Sequence, residues 1–561
     1  MFHNKGASPR TAILRKLAAL PLAATLLLAG CASESTIGGN APTSAMGAGP
    51  DGGPLRIISN PDLTAEWQAE NFKRNYEQNI KWRECGPKDG LIPEVEQALE
   101  AVNVNTKEVK CGSIAAPLDW TDPENLQSVE LAVVHIPSTG DKPKGTLLGN
   151  PGGPGATGRD FMIGMTVSPG FDKLLAEYDL LGFDPRGIGA SQPIQCQDSE
   201  YTNSTLRIGD CIGKNPLAHY MGTSSVARDM ELMRALMKDD KLNYLGYSYG
   251  TMLGATYATL FQDKVGRMVL DSAEDAGWAT PIHRFEQQVA ISRAIVHLGQ
   301  TCEAEYTKDG TLNTCPFVDE QSVADLIKKL DEQPLHGDEG ATLTGHDVYS
   351  YLTSTLYRSA FDRKISIAAL NLALEGDGET IKLIADSIAS GGAAVDTSGT
   401  IVTCHSFPND PDIPGLLEHV NRIGMPLLLG GPDIDEQNLS DLADLGCFAL
   451  PESGHDIYEE FHAPNAAPIL VIGITGDHTT PFQYAEALNK QLETSTLLTV
   501  DAQGHAASFQ GRSSCVDDKV VTYFLDGTLP AAGTVCEDDP VEESEQNTET
   551  ETAETPTTPN S

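Results

Sequence analysis

Short apolar runs alternate with helical stretches along this chain, and that alternation restricts its fold more than any other feature. Residues 131–136, 145–148, 178–183, 242–245 and 267–270 read as strands, and 469–474 with 496–500 complete the set after a long gap. Helical patterning lies between several of them, as in 225–238. Runs that are apolar on both faces suit a mostly parallel sheet covered by helices on each side. The expected fold is therefore α/β. Its core is expected at 63–275 and 461–536, with an insertion at 276–460 that lacks the strand rhythm and holds amphipathic segments such as 284–298 and 322–330.

Between two of the strand signals lies Gly246-Tyr247-Ser248-Tyr249-Gly250, with a small-residue helical run behind it. A serine in a sharp strand-to-helix turn lifts its hydroxyl out of the sheet, where a histidine can reach it. The glycines tolerate the tight turn and the close approach of helix to strand. The helix behind directs its first amides at the same spot, which favours developing negative charge.

A serine nucleophile needs a base, and the base needs an orienting carboxylate. In a parallel sheet such groups collect at the carboxyl ends of strands. Asp477 follows the run ending at Ile474, and His505 follows the run ending at Val500. The order Ser248, Asp477, His505 is that of an α/β-hydrolase. His455 also follows a glycine but precedes the last two strands. His478 adjoins Asp477, and Asp271 ends the strand after the nucleophile as an alternative acid. An oxyanion needs donors as well. Asn150-Pro151-Gly152-Gly153-Pro154-Gly155 follows a strand and can present backbone amides, with Gly153 preferred to Gly152 and Tyr249 as the second donor. Without these roles, each of these segments is an ordinary surface turn.

The ends and the charge set the compartment. Lys5, Arg10, Arg15 and Lys16 precede an apolar run over 17–29, as in a secretory leader at 1–30. The run is short for a membrane span. Its end, Leu28-Ala29-Gly30-Cys31, resembles a bacterial lipobox that leaves a lipidated Cys31, so contact with the membrane is expected only through that anchor. Residues 31–62 read as a flexible tether and 537–561 as a disordered acidic tail. The net charge of −41 repels nucleic acid. After Cys31 the ten cysteines fall as neighbours. Short-loop pairing gives Cys85–Cys111, Cys196–Cys211, Cys302–Cys315, Cys404–Cys447 and Cys515–Cys536, in keeping with an oxidising compartment. No CxxC or HExxH spacing points to a metal, and no cofactor is expected.

Taken together, the glycine-rich segment 150–155, Gly182-Phe183-Asp184-Pro185-Arg186-Gly187, the Ser248 turn, Gly476-Asp477-His478-Thr479-Thr480-Pro481 and Gly504-His505 resemble one family. It is that of the secreted tripeptidyl aminopeptidases of actinobacteria, relatives of proline iminopeptidase. The resemblance runs over nearly all of the expected ordered chain, from Pro117-Leu118-Asp119-Trp120 onward. It implies an α/β-hydrolase core with a helical cap and exopeptidase action on peptides with a free N-terminus. It also implies Asp184 and Arg186 as structural organisers and Thr480 as a brace for the Asp477 loop. Two cap positions depart from the pattern: His405 and Ser406 follow Cys404, and Phe448 follows Cys447. An aminopeptidase needs an anion for the substrate ammonium, and Glu274 and Asp275 lie beyond the strand ending at Leu270. In so acidic a chain the pair also fits a solvated surface. The same catalytic machinery serves esters, so a carboxylesterase or lipid-acyl hydrolase is the alternative, and a non-catalytic surface lipoprotein is a third.

Overall fold

The computed structural model describes residues 63–540, except 195, 197–200, 202–203, 277–280, 309, 311, 392–396, 407–412, 433–446, 448, 451–455 and 457–459. The leader, the tether with Cys31, His455 and the chain from 541 onward lie outside the described residues.

Ten strands form one sheet: β1 (Arg83–Glu84), β2 (Lys110–Pro117), β3 (Ser128–Ile136), β4 (Thr146–Asn150), β5 (Asp179–Phe183), β6 (Leu242–Tyr247), β7 (Val265–Asp271), β8 (Ile469–Gly476), β9 (Ser495–Gln503) and β10 (Val535–Glu537). Their order is β1-β2-β3-β5-β4-β6-β7-β8-β9-β10. The first three pairings are antiparallel, and every pairing from β5–β4 to β9–β10 is parallel. The α/β class with a mostly parallel sheet is thus observed.

Side chains alternate between two buried layers, which is why these strands read as continuous apolar runs. Leu147, Leu180, Leu245, Val269 and Leu470 face one layer. Their neighbours Leu148, Leu181, Tyr244, Met268 and Val471 face the other. The helices that cover the sheet include α1 (Gly158–Met165), α2 (Thr223–Met237) and α3 (Tyr249–Leu260). The long central strands are fully covered, so their carboxyl ends are the places where loops can gather functional groups.

Between β7 and β8 the chain forms α4 (Pro281–Thr301), α5 (Glu320–Glu332), α6 (Gly345–Leu356), α7 (Ala360–Leu374), α8 (Gly378–Gly391), α9 (Thr397–Ser406) and α10 (Ile413–Ile423). Asp319, Thr344 and Ser359 start α5, α6 and α7 by accepting a backbone N–H with their side chains. Residues of α4 to α8, among them Ile295, Leu298, Val323, Leu352, Leu370 and Ile384, share a buried cluster of their own. Two features of this insertion depart from the expected helical reading. A two-stranded hairpin pairs Leu335–His336 with Thr342–Leu343. Ile401, Val402 and Cys404 of α9 pack into the main core rather than the insertion's cluster. After β8 come α11 (Phe482–Gln491) and α12 (Ser514–Asp526).

The five disulfides are the neighbour pairs: Cys85–Cys111, Cys196–Cys211, Cys302–Cys315, Cys404–Cys447 and Cys515–Cys536. The expected tail boundary moves outward. Glu537 belongs to β10, Arg512 clasps Asp538 at 2.7 and 2.8 Å, and Ser514 N donates to Asp539 at 2.8 Å. These charges are held by donors from the start of α12, so the acidic composition does not free this stretch. No helix among the described residues is long and apolar enough to cross a membrane.

Candidate active site

Ser248 directly follows β6 and caps α3 with φ 54° and ψ −127°, a conformation that costs a non-glycine residue energy. The strain is maintained by its surroundings. Ser248 N donates to Asp271 O at 3.0 Å, and Thr251 returns to Ser248 O through its N–H at 2.8 Å and its hydroxyl at 2.6 Å. Both flanking glycines are required by close approach. A Cβ on Gly246 would lie 2.5 Å from Gly250 O, and one on Gly250 would lie 2.7 Å from Asn150 O.

The turn after β4 packs directly on this elbow. A Cβ on Gly152 would stand 2.9 Å from Ser248 Cβ and 3.2 Å from Tyr249 N. Gly152's own N–H donates to Asn150 Oδ1 at 2.9 Å and is buried. It is therefore occupied, and its part is to let the two turns touch. Gly153 is exposed at the same turn. Tyr249 is the first residue of α3, whose first-turn amides have no carbonyl acceptor within the helix. The phenol of Tyr249 is buried in a chain of hydroxyls, bonded to Thr223 at 2.7 Å, and Thr223 to Ser406 at 2.7 Å. The unusual Ser406 of the insertion thus supports the helix start next to Ser248.

Asp477 and His505 are brought together by the parallel register of β8 and β9. His505 Nδ1 lies 3.0 Å from both carboxylate oxygens of Asp477. Asp477 also accepts the N–H groups of Thr479 and Thr480 at 2.9 Å and the Thr480 hydroxyl at 2.9 Å. Burial raises its pKa, but the His505 ring and these donors outweigh burial and hold it at about 2. The ring's hydrogen bonds are all made through Nδ1, and none runs to Ser248 Oγ. Such a contact is often long before substrate binds.

The alternative acid has a different task. Asp271 accepts Ala507 N at 3.2 Å, Ser508 N at 2.7 Å and Ser508 Oγ at 2.5 Å, and Ser272 Oγ accepts Ala506 N at 2.8 Å. Asp271 and Ser272 therefore anchor the loop behind His505 rather than its ring. Sequence reasoning missed this pairing because its partners lie more than two hundred residues away. His478 is buried, with both ring nitrogens lacking a partner, and sits edge-on to Tyr357 at 4.5 Å. Burial lowers its pKa to about 3, with Asp477 opposing, so it is neutral at physiological pH.

Residues 145–312 match the alpha/beta hydrolase fold family, and residues 433–536 match the TAP-like protein family. The chain is 30% identical over 476 residues to serine protease Hip1 of Mycobacterium tuberculosis, covering 76% of this chain and 87% of that one. It is 27% identical to a tripeptidyl aminopeptidase of Streptomyces lividans, covering 85% of this chain and 90% of that one. It is 30% identical to carboxylesterase B of Mycobacterium tuberculosis, covering 76% and 86%. The chain belongs to the TAP-like α/β hydrolases.

In this TAP-like hydrolase the insertion reaches both loops of the site. Gln287 of α4 donates to Thr479 O at 2.8 Å, and Thr479 Oγ1 donates to the Tyr357 hydroxyl at 2.8 Å. Arg363 of α7 donates to Gln503 O at 3.0 Å, and the Tyr357 ring stands edge-on to His505 at 5.7 Å. Sequence patterns gave no sign of these contacts. Below the site, Arg186 is fully buried and grips Asp229 at 2.7 and 2.8 Å, and Asp229 accepts the Trp120 N–H at 2.9 Å. Asp184 accepts from Arg159 at 3.0 Å and Ala190 N at 2.9 Å. These pairs fix the loop after β5.

Glu274 and Asp275, adjacent in sequence, are treated differently. Asp275 pairs with His283 at 2.9 Å. Glu274 is 1% exposed, and neither carboxyl oxygen has a hydrogen-bond partner. Among the described residues no cluster of three or more His, Cys, Asp and Glu could hold a metal ion.

Proposed function

We propose that this TAP-like serine hydrolase is an exported exopeptidase that releases short peptides from free N-termini, in the manner of a tripeptidyl aminopeptidase. The observation that carries the reading is the His505 ring held by Asp477 through Nδ1 at the strand edge that carries the strained Ser248. With Nδ1 engaged, Nε2 is the nitrogen left to take a proton. In this mechanism Ser248 Oγ attacks the scissile carbonyl while His505 Nε2 accepts its proton. The amides of Gly153 and Tyr249 receive the oxyanion. His505 then protonates the leaving amine, and water, activated by the same nitrogen, hydrolyses the acyl-enzyme. The steps draw on side chains and backbone amides alone.

Peptide substrates are supported by the serine protease and tripeptidyl aminopeptidase relatives. Export and attachment through a lipidated Cys31 are supported by the basic leader, its apolar run and the small residues before the cysteine. The second reading, an esterase, is favoured by the carboxylesterase B relative at equal identity.

The test is hydrolysis of a panel by the full chain: free-amine tripeptide and single-residue anilides, their N-acetyl versions, and a short-chain nitrophenyl ester. The expected outcome is cleavage of the free-amine tripeptide anilide, lowered by at least about 10⁴-fold in Ser248→Ala with the fold intact. Cleavage of the ester alone would move the assignment to esterase. Near-normal activity of Ser248→Ala would remove the nucleophile.

A further inference from the structure

Glu274 follows β7 by three residues, on the edge of the sheet that carries Ser248, Asp477 and His505. Its place relative to Ser248 is fixed by one side chain. Glu274 N donates to Thr251 Oγ1 at 3.1 Å, and Thr251 Oγ1 donates to Ser248 O at 2.6 Å. The carboxyl group itself has no donor. Of all carboxylates among the described residues, only that of Glu274 has buried oxygens left without one. The other buried acids of this edge are all served: Asp271 by the Ala507 and Ser508 amides, Asp477 by Thr480 and His505, and Asp456 by Ser224.

A buried polar group without a partner is costly, and a bound ligand that completes it is one of the ways such a group is accounted for. The field at Glu274 says which kind of ligand. The neighbouring charges that act on it are Asp275 and Asp477, both negative, and no Lys or Arg is among them. An anion or an apolar group would gain nothing there, whereas a cation with several N–H donors would satisfy both oxygens at once.

We propose that Glu274 is the receptor for the free α-amino group of the substrate, and that this pairing makes the enzyme reject N-blocked peptides. The assignment rests on the exopeptidase reading above. An α-ammonium offers three donors, and its charge is balanced by the Glu274 carboxylate. If the carboxyl group is neutral before binding, it gives up one proton to solvent as the pair forms. An N-acetyl peptide brings no charge and leaves the carboxyl group as unsatisfied as before. A site built around such a group discriminates by orders of magnitude against substrates that lack the complementary donor. Asp275, already paired with His283, has a supporting role in the field.

The experiment compares kcat/KM for a free-amine tripeptide anilide and its N-acetyl counterpart in the full chain and in Glu274→Gln. Labelling by a fluorophosphonate reports separately on Ser248. The wild type is expected to favour the free amine at least a hundredfold, and Glu274→Gln to cut that ratio at least tenfold, mainly through KM. Glu274→Asp, which keeps the charge and shortens its reach, is expected to cut it at least threefold, and it carries the test should the Gln variant fail to fold. An unchanged ratio in the folded variant overturns the receptor and leaves the exopeptidase reading standing. A wild type that cleaves blocked and free peptides alike overturns both the receptor and the requirement for a free N-terminus. A wild type that labels but cleaves only esters overturns both.

Discussion

Two carboxylates lie just beyond adjacent strands of one sheet, and the protein treats them in opposite ways. Asp477 follows β8 and Glu274 follows β7, and both are buried. Burial raises the pKa of each. At Asp477 the His505 ring and the donors of the Thr479-Thr480 turn reverse the effect and bring it to about 2. At Glu274 burial is reinforced by Asp275 and Asp477, and the group is pushed well above the ordinary carboxylate range. Burial therefore does not decide whether an acid is charged; the partners that face it do, His505 first and then the amides of its own turn. The turn after β8 folds its amides back onto the carboxylate. The turn after β7 commits the Glu274 N–H to Thr251 and leaves the side chain with nothing. One site is completed by the fold, and the other is complementary to a cation.

The hardest blow to this contrast is Asp477→Asn. The substitution keeps the size of the side chain and removes the charge that faces His505 Nδ1 at 3.0 Å. An amide N–H turned toward Nδ1 would favour the tautomer with the proton on Nε2, which cannot act as a base. Turnover of the free-amine anilide is expected to fall by on the order of 10⁴-fold, with far-ultraviolet circular dichroism unchanged. Activity within tenfold of wild type would take Asp477 out of the proposed triad.

The two turns also show what a sequence reveals. β4 to β8 were legible because their central residues are buried on both faces and largely apolar, and β9 because of its Leu497-Leu498-Thr499-Val500 run. β2 was not. Its sequence, Lys-Cys-Gly-Ser-Ile-Ala-Ala-Pro, is made mostly of small residues with one large aliphatic side chain, and it is a strand because β3 pairs with it along its whole length. Ser248, Asp477 and His505 were legible because each follows a strand signal at a fixed offset. The supports of the site were not, since Asp271, Tyr357, Gln287 and Arg363 act on residues far away in the chain. Glu274 and Asp275 look alike in sequence. Only the fold, by handing His283 to one and nothing to the other, separates them.

Replacing Glu274 by an apolar residue of similar length sharpens the comparison at the level of stability. Glu274→Met removes an unpaired buried carboxyl group and is expected to stabilise the chain by about 1–3 kcal/mol near neutral pH. The sign of its pH dependence follows from linkage. The folded pKa is raised, so the contribution of the neutral group is complete below the ordinary carboxylate value of 4.5 and is lost as pH rises from there toward the folded value. Asp477 acts in the opposite sense: its contribution is present above 3.8 and is lost as pH falls through about 2. Asp275, Asp477 and Tyr484 share the surroundings of Glu274 and remain in the variant. The gain in melting temperature should therefore be larger at about pH 8 than at about pH 5. A gain that is equal at both, or larger in acid, would mean that Glu274 is charged and served by a partner.

Asp275→Asn is the smallest and most discriminating change. Asp275 contributes to the negative field at Glu274, yet its own carboxylate is already held by His283, with the two side chains 14% and 17% exposed. A partly exposed pair of this kind is worth roughly 0–1 kcal/mol. Neutralising it removes one neighbouring charge without removing the group proposed to meet the ammonium. KM for the free-amine anilide is therefore expected to rise by less than about threefold, a Coulomb effect softened by solvent. The N-acetyl substrate should respond even less, because it carries no charge for Asp275 to act on. If Asp275→Asn matched the tenfold loss expected of Glu274→Gln, the receptor would be the acidic pair acting as a unit, and the ion pair with His283 would have to open for substrate. If it left KM unchanged while Glu274→Gln raised it, recognition would rest on direct contact with Glu274, with the surrounding field adding nothing measurable.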